Sequence, residues 1–152
     1  MANIVEYEVR GKVAIITLNR PEARNAVNGD VASNLEAAID QLENDPQVWI
    51  GILAANVAGQ ERPVFCAGAD LKAINSGQAG ALNTKRGGLG GFVYRERKKP
   101  MIAAVDGLAT AGGCELVLAC DMVIATSRSA FGLAESTRNL IAGAGGLFRL
   151  PR

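Results

Sequence analysis

The first residues of the chain alternate apolar and polar positions with the period of a β-strand. Ile4–Glu8 and Val13–Leu18 are rich in β-branched residues, and they flank the tripeptide Arg10-Gly11-Lys12. Two such runs around a short glycine-containing link are typical of a β-hairpin. The pattern therefore predicts that the chain begins with two antiparallel strands.

The period changes from two to between three and four after the polar stretch NRPEARNAVN. Asn28 is a favoured helix N-cap, and Pro46 follows Asn44-Asp45 as a stop signal. Between these signals, apolar residues recur at helical spacing. The sequence predicts a helix whose buried face consists of Val31, Leu35, Ile39 and Leu42.

Further strands and helices alternate along the rest of the chain. VWIGILAA predicts a buried strand, MIAAV and DMVIAT predict further strands, and Val64-Phe65 predicts a short one before a helical turn at Leu71. GGCELVLAC predicts a helix, a second helix is expected to end at YRERKKP, and FGLAESTRNL is a loop or a short helix. Trp49 and Phe65 are expected in the core. Strands separated by helices in this way indicate an α/β fold.

Composition limits the class of protein without changing that fold. The chain has 152 residues, of which 49% are hydrophobic and 20% charged, as is ordinary for one soluble domain. A net charge of +1 does not indicate binding to nucleic acid or to an anionic membrane. The charged N-terminus lacks the apolar core of a signal peptide, and no apolar run has transmembrane length. These features predict a cytoplasmic protein.

The chain contains no histidine, and this restricts its chemistry. Serine or cysteine catalysis that relies on histidine is excluded, as are most zinc sites. Cys66, Cys114 and Cys120 form no CxxC pair, so they are expected to be reduced thiols that act as small core residues. Acid–base catalysis would have to use carboxylates, lysine, tyrosine or cysteine.

Glu115 stands out because it lies inside the apolar run ATAGGCELVLACDMVIA. A buried carboxylate costs several kcal/mol unless it is paired or hydrogen-bonded. A glutamate in the first turn of a helix is favoured by the helix dipole, which is the structural explanation. The functional explanation is that the carboxylate is needed for chemistry.

Four motifs in order give the chain a resemblance to the crotonase superfamily, the enoyl-CoA hydratase/isomerase family. They are NRPEARNAV, FCAGADL, KPMIAAVDGLATAGGCELVLACD and FGLAESTRNLIAGAGG, and the match extends from about Ile4 to Leu150. The resemblance implies an α/β fold built as a spiral of ββα turns with two near-perpendicular sheets. It also implies acyl-CoA thioester substrates and a homotrimer or hexamer. The hydration reaction typical of the family would need no metal or redox cofactor, and the net charge argues against a nucleic-acid or membrane partner.

The resemblance assigns an oxyanion hole to the backbone N–H groups of Ala69 and Gly112. Gly112 would begin the helix that carries Glu115, where free N–H groups favour negative charge. Asp70, Leu71 and Lys72 match positions that line the pocket for the coenzyme A adenine and pantetheine. A capped helical turn is the alternative explanation for these three residues, and it is compatible with binding.

Glu115 and Glu135 match the two catalytic glutamates of the hydratases, and Gly143 matches a residue that presents its N–H to the catalytic water. One carboxylate would take a proton from water while the other delivers a proton to the α-carbon. The pair favours a hydratase that converts a 2-enoyl-CoA into a 3-hydroxyacyl-CoA. An isomerase, which needs one glutamate, and a non-catalytic acyl-CoA-binding protein are the alternatives.

The sequence departs from the family pattern at several places. Ala111, Ala134 and Ala142 stand where the family usually has glycine, proline and proline. Residues 1–152 are interpreted as an N-terminal spiral core without the C-terminal helices of similar proteins. The apolar segments LVLAC, MVIA and NLIAGAGGLF would then need covering partners. The cluster Arg95, Arg97, Lys98 and Lys99 is either a solvated helix end or a contact for a coenzyme A phosphate.

Overall fold

The structure, a computed structural model, describes residues 3–152. The predicted hairpin is confirmed: strands β1 (Val5–Arg10) and β2 (Val13–Leu18) pair antiparallel, with Val5 opposite Leu18. Gly11 takes a φ of 60° in the turn, a conformation that glycine adopts at little cost. The hairpin forms one edge of the main sheet.

The predicted first helix is also confirmed, as α1 (Gly29–Asn44). The Asn28 side chain accepts a hydrogen bond from the Val31 N–H at 2.9 Å, which satisfies one of the free N–H groups of the first turn. All four residues of the predicted apolar face are buried: Val31, Leu35, Ile39 and Leu42. Local sequence and tertiary packing agree throughout this helix.

The remaining described residues form eight further strands, three short helices and three turns of 3₁₀ helix. The strands are β3 (Ile50–Ala55), β4 (Val64–Cys66), β5 (Asn83–Thr84), β6 (Gly88–Leu89), β7 (Met101–Val105), β8 (Leu108–Thr110), β9 (Met122–Ala125) and β10 (Ala130–Gly132). The helices are α2 (Leu71–Asn75), α3 (Gly112–Leu118) and α4 (Gly146–Arg149). The 3₁₀ turns are Pro21–Ala23, Ala79–Leu82 and Ala134–Arg138.

The strands belong to three sheets. The largest has the order β1-β2-β3-β7-β9, in which every pair after the first hairpin is parallel. A second sheet has the parallel order β10-β8-β4, and β5 and β6 form a small antiparallel pair. Because β7 and β8 are consecutive but lie in different sheets, the chain passes from one sheet to the other just before α3. The mixed architecture agrees with the predicted α/β class.

Two close backbone contacts place α3 against the second sheet, β10-β8-β4. A Cβ at Gly113 would lie 2.1 Å from the carbonyl oxygen of Cys66 in β4, so only glycine allows the helix this close. A Cβ at Gly68 would lie 2.8 Å from the nitrogen of Gly112. The loop after β4 and the first residue of α3 are therefore adjacent.

The predicted helix that ends at YRERKKP is wrong. Residues 91–94 form only turns, and the chain continues without regular structure to Pro100. The N–H groups of Lys98 and Lys99 donate to the Glu43 carboxylate instead of to carbonyls one turn earlier. Four cationic residues in five positions also repel one another in a helix, so tertiary contacts with α1 replaced the local pattern.

Trp49 is the other clear correction, because its side chain is exposed rather than in the core. Val48 is buried, and Trp49 lies on the opposite side of the chain, where the Lys12 ammonium group covers its ring at 3.4 Å from the centroid. Phe65 is fully buried, as predicted. Among the described residues, no helix has the length and apolar character needed to cross a membrane.

The apolar segments that were expected to need covering behave differently from one another. Leu116 and Val117 of LVLAC are already buried, so that part of the prediction is wrong. All of β9 is exposed at the edge of the main sheet. The segment before α4, α4 itself and the residue after it also expose large side chains: Leu140, Ile141, Leu147, Phe148 and Leu150.

Candidate active site

A cavity of about 1000 Å³ is lined by the first turn of α3 and by the loops that follow β2, β4 and β10. All of the residues singled out from the sequence line it: Ala69, Asp70, Leu71, Lys72, Gly112, Glu115, Glu135 and Gly143. They come from four segments that are far apart in sequence. The fold thus brings together every predicted site residue.

The Ala69 N–H group is held in a fixed direction by the residues on either side of it. The Val27 N–H donates to the Gly68 carbonyl at 2.8 Å, and the Asp70 N–H donates to the Val27 carbonyl at 2.8 Å. In an extended chain, the N–H of the intervening residue points to the other side. Within residues 3–152, the Ala69 N–H donates to no protein acceptor. It is available to a ligand.

Gly112 supplies the second N–H at this point. It is the first residue of α3, so its N–H has no partner inside the helix. A Cβ at Gly112 would lie 3.5 Å from the nitrogen of Ala69 and 2.5 Å from Cδ2 of Leu89. The two N–H groups therefore lie near each other, and a side chain at position 112 would collide with Leu89. Two adjacent free donors at a helix N-terminus suit an oxygen that carries negative charge.

The burial of Glu115 is explained by hydrogen bonds from a distant loop. Its Oε1 accepts from the Ala144 N–H at 2.7 Å and from the Gly146 N–H at 2.9 Å. Burial raises the pKa of the Glu115 carboxyl, and the charge of Glu135 raises it further, whereas the two N–H groups and Arg149 act in the opposite direction. The net result is a pKa above the ordinary value. The carboxyl is held in one orientation and ionises less readily than usual.

Glu135 lies in the 3₁₀ turn Ala134–Arg138 and faces the same cavity. Its Oε2 is buried, and no group of the described residues donates a hydrogen bond to it. An unpaired buried carboxyl oxygen is costly in a protein interior. Glu135 therefore differs from Glu115, because its Oε2 is free to accept a hydrogen bond from a molecule bound in the cavity.

Asp70 has a structural role at the cavity wall. Its carboxylate caps α2 by accepting from the Lys72 and Ala73 N–H groups, and it accepts from Arg20 at 2.6 Å. Burial opposes ionisation of Asp70, but the Arg20 guanidinium and the two N–H groups outweigh it and lower the pKa of the carboxyl. The capped-turn explanation is confirmed for Asp70, while Leu71 and Lys72 are exposed along the cavity rim.

Two further residues of the cavity were not predicted from the sequence. Arg20 bonds both Asp70 and the Ala26 carbonyl, and so it ties the first connection to the loop that carries Ala69. Tyr94 lines the cavity and donates its hydroxyl to the Gly143 carbonyl at 2.6 Å. Arg20 lies within a motif that was recognised, but nothing local distinguishes Tyr94. Its contact spans 49 residues of sequence.

The cationic cluster of YRERKKP lies away from this cavity. Arg95 pairs with Asp40, Arg97 donates to the Ala119 carbonyl, and Lys99 donates to the Leu42 carbonyl at the end of α1. These cations line a separate cavity of about 270 Å³. The Arg95 and Lys99 contacts tie α1 to the chain before β7, and the Arg97 contact ties that chain to the end of α3, so these cations serve the fold.

Ala111, where the family usually has glycine, adopts a φ of 52° and a ψ of −127° as the N-cap of α3. This conformation strains a residue that has a Cβ. Replacement by glycine is expected to raise the free energy of unfolding by about 1 kcal/mol, because the relief of strain exceeds the added entropy of the unfolded chain. Denaturant titration of Ala111→Gly against the wild type measures the change. A denaturation midpoint of Ala111→Gly that is equal to or below that of the wild type would show that Ala111 is not strained.

Comparison with known proteins places this geometry in a family. The profile of the enoyl-CoA hydratase/isomerase family matches residues 8–152. The short-chain-enoyl-CoA hydratase of Clostridium acetobutylicum is 40% identical over 157 aligned residues, which cover 99% of this chain and 57% of that protein. The crotonyl-CoA hydratase of Syntrophomonas wolfei is 38% identical over 154, which cover 99% of this chain and 56% of that protein.

Solved structures show the same fold. The crystal structure of enoyl-CoA hydratase from Mycobacterium tuberculosis H37Rv superposes with a TM-score of 0.89 at 47% identity, covering 99% of this chain and 56% of that one. The predicted crotonase-like α/β fold is thereby confirmed. The chain spans just over half the length of these relatives. Matching profile, sequence and fold together show that the chain belongs to the enoyl-CoA hydratase/isomerase family of the crotonase superfamily.

Proposed function

We propose that the protein is an enoyl-CoA hydratase that adds water across the double bond of a 2-enoyl-CoA thioester. The observation that carries the proposal is one cavity whose lining includes the free backbone N–H groups of Ala69 and Gly112 and the carboxyl groups of Glu115 and Glu135. Relatives with this fold bear the names short-chain-enoyl-CoA hydratase and crotonyl-CoA hydratase. The proposal assigns each part of the cavity to one part of the reaction.

Ala69 and Gly112 form the oxyanion hole in this proposal. The thioester carbonyl oxygen accepts from both N–H groups, and it gains negative charge as water attacks the β-carbon and an enolate forms. Preorganised donors of this kind stabilise the charged state more than the neutral thioester, which lowers the barrier. Glycine at position 112 places no side chain beside these donors, and a Cβ there would lie 2.5 Å from Leu89 Cδ2.

Glu115 acts as the general base and Glu135 as the proton donor. The two loop N–H groups hold Glu115 Oε1, so the carboxylate keeps one orientation while it takes a proton from the attacking water. Glu135, with its unpaired buried oxygen, delivers a proton to the α-carbon. The water oxygen bonds to the β-carbon, and proton exchange between the carboxyl groups restores their starting states. Gly143 borders the same space and presents its N–H to the water.

The cavity wall also provides a place for the coenzyme A part of the substrate. Leu71, Ile74 and Leu89 supply apolar contacts for the pantetheine chain, and Arg24 and Lys72 supply positive charge for phosphate groups. No metal or redox cofactor is needed, because hydration moves only a water molecule and protons. Coenzyme A enters and leaves as part of the substrate.

Incubation of the protein, as its natural gene encodes it, with crotonyl-CoA and longer 2-enoyl-CoA thioesters tests the proposal. Hydration destroys the conjugated enone, so its ultraviolet absorbance is expected to fall. No loss of absorbance with any chain length would contradict the proposal. Conversion of a 3-enoyl-CoA into a 2-enoyl-CoA without hydration would indicate an isomerase, and acyl-CoA binding without turnover would indicate a non-catalytic protein.

The proposed assembly is a homotrimer or hexamer. Exposed apolar residues on β9, such as Met122 and Ile124, and beside α4, such as Ile141 and Leu147, are surfaces that association would bury. Residues 1–152 alone are therefore expected to sediment as associated species, and Ile124→Lys combined with Ile141→Lys is expected to reduce the association. A monodisperse monomer of the unsubstituted residues with a cooperative melt would contradict this expectation.

We also propose a cytoplasmic location. The three cysteines are all unpaired thiols, as is usual in a reducing compartment. Burial raises the pKa of Cys66 and of Cys120 to about 12, so these thiols stay protonated and unreactive. Fluorescent tagging and fractionation of the producing cells test the location.

A further inference from the structure

One peptide unit in the loop before α4 is hydrogen-bonded on both sides. Its carbonyl, from Gly143, accepts the Tyr94 hydroxyl at 2.6 Å. Its N–H, from Ala144, donates to Glu115 Oε1 at 2.7 Å. Tyr94 and Glu115 are thus connected through a single rigid plane, because the peptide bond does not rotate.

We propose that Tyr94 is a positioning residue for the reaction, whose hydroxyl locks the Gly143–Ala144 peptide in the orientation that holds the Glu115 carboxylate. This inference rests on the proposed function, since it takes Glu115 as the general base. Tyr94 itself touches neither substrate nor proton in this role. It acts through the peptide.

The loop needs such a lock because of its composition. The peptide unit follows Gly143, and a Cβ there would meet only the Ile141 carbonyl at 3.8 Å, so the backbone has room to rotate. Glycine adopts many backbone conformations at little cost. Rotation of the peptide plane would turn the Ala144 N–H away from Glu115. The Tyr94 hydroxyl opposes that rotation by binding the other end of the plane.

The exposure of Tyr94 indicates that the contact serves orientation rather than burial. Its side chain is 48% exposed, so the hydroxyl would find water if the carbonyl were not there. A hydrogen bond that competes with water adds little to stability. It still selects one geometry of the acceptor, and the short bond polarises the peptide so that its N–H becomes a better donor.

Arg149 holds the same two segments together from the other side. Its guanidinium donates to the Val93 carbonyl at 2.8 Å and to the Ala144 carbonyl at 3.3 Å. It also lies over the Tyr94 ring, with Cζ 5.7 Å from the centroid. The backbone before Tyr94 is therefore fixed relative to the loop. This places the Tyr94 hydroxyl close to the Gly143 carbonyl before the hydrogen bond forms.

The Tyr94 contact also affects the pH dependence of the reaction. The charged groups that face Glu115 are Glu135 from the 3₁₀ turn and Arg149 from α4, and Cys114 is its neighbour on α3. Burial raises the pKa of Glu115 most, and the loop N–H groups lower it. Loss of the Tyr94 hydroxyl weakens the Ala144 donor, so the pKa of Glu115 rises further. A base with a higher pKa loses its charge at a higher pH.

The test compares Tyr94→Phe with Tyr7→Phe in the protein as its natural gene encodes it. Tyr7 is a matched control, because its hydroxyl is buried in β1 and has no hydrogen-bond partner among the described residues. In Tyr94→Phe, kcat for crotonyl-CoA at neutral pH is expected to fall about three- to tenfold with KM within about twofold. The acidic limb of kcat is expected to move up by roughly half to one pH unit, with an unchanged melting temperature. Tyr7→Phe is expected to match the wild type in both kinetic respects.

Either of two kinetic results would overturn the inference: a wild-type kcat and pH profile in Tyr94→Phe, or a fall in kcat that is equal at every pH. The proposed function is tested separately by wild-type turnover and its loss in Glu115→Gln. The pKa of Glu115 can also be followed without turnover, by the carboxyl signal in ¹³C NMR that Glu115→Gln removes. A higher pKa in Tyr94→Phe than in the wild type supports the inference whatever the reaction is, and an equal pKa overturns it.

Discussion

Replacement of either proposed catalytic carboxyl, in Glu115→Gln or Glu135→Gln, is expected to lower kcat by roughly 10²–10⁴. Glutamine keeps the size and the acceptor oxygen, so at position 115 both loop N–H groups still find a partner. It cannot take or give the proton that the reaction moves. Stopped-flow or steady-state loss of enone absorbance measures the change, and acyl-CoA binding is expected to change much less.

Glu22→Gln is the matched control for these variants. Glu22 lines the same cavity, but its side chain is 74% exposed and lies 4.0 Å from Arg20, outside the hydrogen-bonded centre. The same chemical change there is expected to leave kcat within about twofold of the wild type. A wild-type kcat in Glu115→Gln would show that this buried carboxylate has a purely structural role.

The raised pKa of Glu115 adds a second expectation for the same variant. The carboxyl binds its proton more tightly in the folded state, so the charged form opposes folding, and stability falls as pH rises through the folded pKa. Glu115→Gln removes that charge. The variant is therefore expected to melt at or above the wild-type temperature at neutral pH while it loses activity, as is common where a site is strained for function. A large loss of stability would contradict the inference that the charge of Glu115 opposes folding.

Gly112→Ala is expected to lower kcat by up to about 10²–10³, the effect of an oxyanion-hole donor that no longer meets the thioester oxygen. The backbone N–H remains, but the new Cβ would lie 2.5 Å from Leu89 Cδ2 and beside the Ala69 nitrogen. Leu89, the start of α3 or both must shift to relieve this contact, and a shift of α3 moves the Gly112 N–H away from the thioester oxygen. Alanine is otherwise a better helix residue than glycine, so a loss of helix propensity does not explain the effect.

Gly80→Ala is the control for the glycine variant. Gly80 has an ordinary φ, and a Cβ added there would have no atom within 4 Å, so alanine fits without strain. Gly80→Ala is expected to have wild-type kinetics. If Gly112→Ala folds and turns over crotonyl-CoA at the wild-type rate, the close packing around Gly112 does not position a donor for the reaction.

The elements that the sequence predicts well are those whose hydrophobic period is complete within a few residues. The hairpin β1–β2, helix α1, and strands β3 and β7 lie where the patterns place them. Strands β8 and β10 were missed, because each has only three residues and exists through pairing with a distant segment. The false helix before Pro100 has the opposite cause. Its local pattern was helical, but Glu43 and Asp40 of α1 bind its residues in another conformation.

The sequence by itself determined which residues form the candidate site. The motifs around Ala69, Gly112, Glu115, Glu135 and Gly143 name residues that the structure brings to one cavity. Helix initiation at Gly112 is a local property, so the free N–H groups there could be inferred from the residues alone.

Only the tertiary structure decided what holds Glu115 and what holds the loop in turn. The Ala144 and Gly146 N–H groups lie 29 and 31 residues from Glu115, and Tyr94 reaches Gly143 across 49. A sequence can mark a buried carboxylate as anomalous, because burial without a partner is too costly. It cannot name the partner. Backbone donors look alike at every residue, and which of them meets a given side chain depends on how distant segments pack.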